Sequence, residues 1–233
     1  MKTAAIIPVR GRISLLAWTV SRLKDLNDID HVILVGHEDE AYDLAKMMDV
    51  DWVHHPNFPL GMKYNAGWEY AWKKYNADYY MMMGSSDWFS PNWVDVMVSD
   101  MGKADFVVKR DKYYLNMGRY GNRMVYWKNK GGYASSGMIV GKRMMDMLNG
   151  RPFNDVMDND LDWSIVDNIK SVKGKMSICD NKEAKSLSIS YHKWSNAYSF
   201  DGYWNNQALC DQMSDGKDFL RANFMDALDM TLW

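Results

Sequence analysis

Residues 61–91 read GMKYNAGWEYAWKKYNADYYMMMGSSDWFSP. From Gly61 to Tyr75 the apolar residues recur at helical spacing, and the Pro59-Leu60-Gly61 turn leads in. From Ala77 to Gly84 follows a short apolar run, ADYYMMMG, of the kind that forms a buried strand. It ends at Gly84-Ser85-Ser86-Asp87, with Trp88, Phe89, Ser90, Pro91 and Trp93 just beyond. A carboxylate and so much aromatic surface at the tip of a buried strand call for an explanation.

Upstream, the same alternation repeats. AAIIPV (4–9), HVILVG (31–36) and VDWVHH (50–55) read as strands, and DEAYDLAKMM (39–48) as a helix. RISLLAWTVSRLKDL (12–26) places Leu15, Leu16, Thr19, Val20 and Leu23 on one helical face. This β-α-β-α-β-α-β order predicts a mostly parallel α/β sheet with right-handed crossovers. Ligands of such sheets bind beyond the carboxyl ends of the strands. Arg10, His37, Asn57 and Ser85 to Asp87 all follow strand ends and are expected in one crevice.

After Pro91 the texture changes. ADFVVK (104–109), KYYLNMG (112–118) and NRMVYWK (122–128) read as antiparallel strands joined by Gly-Asn turns. GKRMMDMLNG (141–150) and DLDWSIVDNI (160–169) read as helices. A single domain over 1–233 is expected, with a nucleotide-binding half (1–100) and an acceptor-side half with C-terminal helices (101–233).

The chain has 233 residues and a formal net charge of −2, so no global basic field announces nucleic acid. Cys179 and Cys210 make no disulfide framework, which points to a reducing compartment. The N-terminal apolar run is short and interrupted by Pro8 and Arg10, unlike a signal peptide. No window approaches the ~20 apolar residues of a membrane helix. A soluble, cytoplasmic protein with no membrane partner is expected. Its 11 Trp and 14 Tyr exceed what a core of this size needs, and the surplus suits stacking on sugars or bases.

Asp87 admits two readings. It is a turn or cap residue beside a Ser90-Pro91 helix start, or a carboxylate placed to hold a hard divalent cation on a diphosphate. Lys63 and Asn65 sit where a helix opens, so the free N–H groups and the lysine suit phosphate, or the lysine is merely solvated. Asp158, Asp160 and Asp162 crowd one turn, as caps or as a base that deprotonates a hydroxyl. Gly131 to Gly137 form a loop open to close substrate approach, or a plain flexible one.

PNFPLGMKYNAGWEYAWKKYNADYYMMMGSSDWFSP (56–91) resembles the central segment of GT-A glycosyltransferases, family 2-like, of the kind found in phage and bacterial genomes. IIPVRGR resembles the first strand of that fold and its nucleotide-cradling loop. The resemblance covers the first hundred residues well and the rest weakly. It implies a GT-A (Rossmann-like) sheet and an inverting glycosyltransferase that moves a sugar from a nucleotide sugar, UDP-linked above all, to a hydroxyl. It implies Mn²⁺ or Mg²⁺ at Asp87, with His192 of SYHKWSN as a second ligand. The family's acidic pair is reduced here to Ser86-Asp87. Asp158 matches the family's base and Asp160 the following acid. Pro8, Arg10, His37, Lys63, Asn65, Ser85, Ser86, Trp88 and Trp194 would hold the donor. GGYASSGMIVGKRMMDML resembles the acceptor-side segment, which brings in Ser135 and Ser136.

The acceptor divides the possibilities further. Residues 103–130 hold eight Lys/Arg and two Asp, a local +6, interleaved with aromatics; residues 201–233 carry a local −4. The basic stretch is either a solvated hairpin face or a polyanion-binding one. In the second case Lys109, Arg110 and Lys112 would grip DNA, since phage enzymes of this type glycosylate hydroxylated pyrimidines. A cell-surface or capsular glycan is the rival acceptor. Two other classes stay open: a sugar nucleotidyltransferase, which normally has a longer Gly-rich loop than RGRISLL provides, and a non-catalytic binding module.

Overall fold

The computed structural model describes residues 1–24, 26, 28–116, 123–128, 134–158, 161–190, 210–213 and 216–224. The first half alternates as its sequence predicts: β1 (Thr3–Pro8), α1 (Ile13–Lys24), β2 (His31–Gly36), α2 (Asp39–Met47), β3 (Asp51–His54), α3 (Leu60–Tyr75) and β4 (Tyr79–Met82). β1 pairs in parallel with β2 and β4, and β2 with β3. The face of α1 that is buried consists of Leu15, Leu16, Thr19, Val20 and Leu23. The stop of α3 is written locally. Lys73 and Lys74 lie in its last turn, against the negative end of the helix dipole. Asn76 then adopts a left-handed φ of 48° and donates its N–H to Trp72 O at 3.3 Å.

The second half comprises β5 (Asp87–Phe89), α4 (Trp93–Met101), β6 (Phe106–Lys109), β7 (Asp111–Asn116), β8 (Arg123–Lys128), β9 (Ala134–Gly141), α5 (Lys142–Met147), α6 (Leu161–Ser171), β10 (Met176–Cys179), β11 (Ser186–Ser190), β12 (Cys210–Met213) and α7 (Gly216–Asn223). The central sheet has seven strands in the order β10-β6-β9-β4-β1-β2-β3. Only β9 runs against its neighbours, β4 and β6. A second sheet has the order β12-β8-β7-β11-β5.

Two expectations change. β7 and β8 are antiparallel as predicted, but β6 joins the central sheet. All four residues of FVVK are buried, which suits a strand covered on both faces, whereas β7 and β8 mix buried and half-exposed positions. The helix after Pro91 begins at Trp93 with Asn92 as N-cap. Ser90 Oγ instead accepts Lys185 N–H at 3.0 Å and donates to Asn92 Oδ1 at 2.8 Å.

Strand alternation builds a core on each face of the central sheet. Ala5, Ile7 and Val9 pack with Leu16, Val20, Leu44, Trp93 and Met97 of α1, α2 and α4. Ala4 and Ile6 pack with Trp68, Met144, Ile165 and Ile169 of α3, α5 and α6. A third cluster joins the second sheet to α7 through Trp88, Leu115, Met124, Leu187, Leu220 and Phe224, with Leu15 reaching in from α1. No described helix is long and apolar enough to cross a membrane.

Candidate functional site

The strand ends converge as expected. β1 finishes at Pro8, half-buried, and the chain passes through Val9 to an exposed Arg10. The Arg10 guanidinium lies 4.9 Å from the ring centre of Phe58, itself 53% exposed. Beyond β2, His37 is exposed and its backbone N–H donates to Glu38 Oε2 at 3.2 Å. Glu38 Oε1 accepts from Asn57 Nδ2 at 3.0 Å. Burial alone would raise the Glu38 carboxyl. Hydrogen bonds from Asn57 and from backbone N–H groups, with the field of Lys63, outweigh it and hold the carboxyl below its ordinary range. Asn57 and Glu38 lie 19 residues apart, so this ribbon of polar groups exists only once β2 and β3 pair.

Lys63 belongs to the same cluster but not as a solvated phosphate ligand. It is 1% exposed, and its ammonium donates to Val9 O and Asn57 Oδ1. Burial pushes its pKa down to about 8, against the opposing pull of Glu38. It ties the end of β1 to the loop before α3.

The mouth of α3 is closed to phosphate at its first two donors. Leu60 N–H donates to Asp158 Oδ1 and Gly61 N–H to Met157 O, both at 2.8 Å. The loop approaches so closely that a Cβ on Gly61 would stand 1.9 Å from Asn154 O. Asn65, 1% exposed, clamps the same loop. Its amide nitrogen donates to Phe153 O and Asp155 Oδ1 at 2.8 Å, and its oxygen accepts Phe153 N–H at 2.9 Å. Asn65 is therefore a loop anchor, where the sequence suggested a donor contact. Asp158 is exposed and caps α3 from 98 residues away, a role outside the motif that singled it out.

The Gly84-Ser85-Ser86-Asp87 tip is where β4 leaves the central sheet and β5 enters the second one. Asp87 is buried. Its Oδ2 accepts Gly84 N–H at 2.6 Å and the Ser136 hydroxyl; its Oδ1 accepts Lys112 Nζ at 3.0 Å and the Ser188 hydroxyl. Burial would raise this carboxyl, but Lys112 and the two serines together hold it below the ordinary range. A carboxylate offers about four acceptor positions, and these four donors take them. The donor set does not fit a divalent cation, which needs lone pairs facing it and no ammonium on the same oxygen. Ser136 and Lys112, expected at the acceptor, serve Asp87 instead. Trp88, expected as a stacking face, is 1% exposed within the third core.

Arg12 falls within the IIPVRGR segment read as a nucleotide-cradling loop but was not singled out there, although it stands two residues after Arg10 at the same strand end. Its Nη2 donates to Ser85 Oγ at 2.9 Å and its Nη1 to Ser86 Oγ at 3.3 Å. Its φ of 56° turns the chain from β1 into α1. Glu38 was missed as well, beside the His37 that was noticed.

The basic stretch is divided: Lys109 and Lys112 are buried, while Lys103, Arg123 and Lys128 are exposed. Lys109 is 1% exposed and bonds Asn181 O at 2.9 Å and Asp111 at 2.8 Å. Arg110 pairs with Asp180 at 2.8 Å, and Lys128 pairs with Asp211 of the acidic tail. The expected charge polarity is thus partly cancelled by pairing across β8 and β12. Gly137, with φ +82°, makes room for aromatic rings: a Cβ there would lie 2.4 Å from Trp93, whose indole N–H donates to Gly137 O at 3.1 Å. Asp160, His192, Trp194 and the Ser135 side chain lie outside the described residues. Among the described residues no group of three or more His, Cys, Asp or Glu could hold a metal.

No protein-family model and no curated protein matches the chain. Solved structures do. The inositol-1-phosphate CTP transferase from T. maritima is similar with a TM-score of 0.53 at 9% identity, over 83% of this chain and 91% of that one. A 4-diphosphocytidyl-2C-methyl-D-erythritol synthase gives 0.53 at 7% identity, over 78% and 90%. S. aureus TarS 1–349 gives 0.56 at 11% identity, over 81% of this chain but 60% of that one. At these identities the likeness establishes the fold alone: a Rossmann-like α/β architecture.

Proposed function

We propose that this chain is a transferase acting on a nucleotide-activated sugar, and specifically an inverting glycosyltransferase with a UDP-sugar donor. One observation carries this reading: Arg10, Arg12, His37 and the ionised Glu38 converge beyond the carboxyl ends of β1, β2 and β4, where α/β sheets of this kind take ligands. Glu38 offers acceptors to ribose hydroxyls, and the two arginines offer fixed charge to a diphosphate. Asp158 is the base in this scheme. It is exposed beside the start of α3, where its Oδ1 accepts Leu60 N–H. An acceptor hydroxyl oxygen attacks the anomeric carbon as the bond to the diphosphate oxygen breaks. Its proton passes to Asp158, and the nucleoside diphosphate leaves. The acceptor is a glycan hydroxyl; a DNA acceptor loses its main support, since Lys109 and Lys112 are internal and Arg110 is paired.

A second reading is a sugar nucleotidyltransferase, favoured by two solved neighbours whose names specify a CTP transferase and a diphosphocytidyl synthase. The direct passage from Arg12 into α1 at Ile13 leaves little loop to wrap a triphosphate. Incubation with nucleotide sugars and a panel of glycan acceptors, followed by mass spectrometry, separates the two. A mass gain of one hexosyl unit supports the first reading. Pyrophosphate from CTP or UTP with a sugar phosphate supports the second. Under the first, Asp158→Asn keeps UDP binding and lowers turnover by roughly 10²-fold or more.

A further inference from the structure

We propose that nucleotide binding in this crevice needs no divalent cation, because Asp87 serves as the buried counter-ion of Lys112 and as the splice between the two sheets. The inference rests on the nucleotide reading above. Three features carry it. Both oxygens of Asp87 are filled, each by one hydroxyl and one nitrogen donor; beside the local Gly84 N–H, Lys112 is 25 residues on, Ser136 is 49 and Ser188 is 101. A cation coordinating either oxygen at about 2.0–2.6 Å would displace a donor and stand beside the Lys112 ammonium, a like-charge contact in a dry site. The companion position is Ser86, and its hydroxyl accepts from the Arg12 guanidinium. Where a metal site needs a second carboxylate, the chain brings a cation.

Arg12 then takes over the electrostatic part. Burial lowers its pKa while the field of Asp87 pulls it up, and an arginine starts so high that it keeps its charge near neutral pH. Its planar fork suits phosphate oxygens. Ser85 and Ser86 fix it at the tip of β4, and the turn at φ 56° aims it from β1. A fixed guanidinium does not exchange with solvent, so the site is charged before the ligand arrives.

Two measurements on the full chain test this. The first follows Mn²⁺ alone by electron paramagnetic resonance. The expected result is the same Mn²⁺ signal with wild type and with Asp87→Asn. Mn²⁺ immobilised by wild type and released by that substitution would overturn the proposal. The second titrates UDP calorimetrically in EDTA and in Mn²⁺. Equal Kd values, within about threefold, support it; tightening by more than about tenfold in Mn²⁺ overturns it. Since Asp87→Asn strands a buried ammonium and lowers stability, Asp87→Asn with Lys112→Met is the partner variant. It should fold and keep UDP binding in EDTA, and Arg12→Ala should weaken that binding about tenfold or more. If UDP binds under no condition, the nucleotide reading falls, while the Mn²⁺ experiment still decides the fate of Asp87.

Discussion

Two buried lysines, Lys63 in the first turn of α3 and Lys112 near the start of β7, live different lives. Lys63 meets neutral acceptors, Val9 O and Asn57 Oδ1, with Glu38 further off. Its charge is tolerated, and its pKa falls to about 8. Lys112 meets a carboxylate head-on, and that carboxylate is saturated by three further donors. The first arrangement holds a charge on neutral oxygens alone, and the second is a locked joint between sheets. What separates them is the partner, since both side chains are almost fully buried.

The locked joint should break hardest. Asp87→Asn or Lys112→Met alone leaves one buried charge unpaired and should cost about 3–5 kcal/mol in urea unfolding. The double variant should recover most of that loss. If the two single losses simply add, the pair is not a unit and the contrast with Lys63 fails. Next comes Asn65→Ala, which strips Phe153 N–H and O of their partners. A loss of about 2–3 kcal/mol is expected from such orphaned buried groups; a loss under the cost of one hydrogen bond would mean that the 153–155 loop holds itself.

Smaller is the cap. Asp158→Ala removes the acceptor of Leu60 N–H and should lower stability by ~1 kcal/mol. Asp158→Asn should retain most of it, since an amide oxygen still accepts. Comparing the two variants in thermal unfolding and in turnover separates capping from proton transfer. The gentlest effect is a slope at Lys63. The unfolded chain keeps this lysine charged up to 10.5, the folded chain only up to about 8. Between those values the unfolded state binds more protons, so stability should rise with pH. The difference in unfolding free energy between wild type and Lys63→Met should grow in favour of wild type across that window. Parallel pH curves would place Lys63 in the same locked class as Lys112.

Much of the first half was legible because its signals are local. The five apolar positions of α1 recur at helical spacing and are the five that are buried. Asn76 stops α3 through its own backbone preference. Arg10, His37, Asn57 and Ser85 fall at one end of the sheet because parallel strands of a βαβ chain must all end on one side. Arg12 and Glu38 were legible in the same way, by position alone. The second half was misread where the signal is not local. FVVK looks like any apolar strand, and only the cover on both faces assigns it to the central sheet.

The sequence by itself therefore determined the alternation of elements, the faces of the helices and the edge of the sheet at which Arg10, His37 and Asn57 gather. Periodicity and chain direction are properties of neighbouring residues. Tertiary structure alone decided which charges remain available there. A lysine in an alternating hairpin and a serine 101 residues from Asp87 carry no mark of their meeting. Whether a carboxylate faces a ligand or an internal ammonium depends on which strands pair across the two sheets, and desolvation then makes that pairing obligatory.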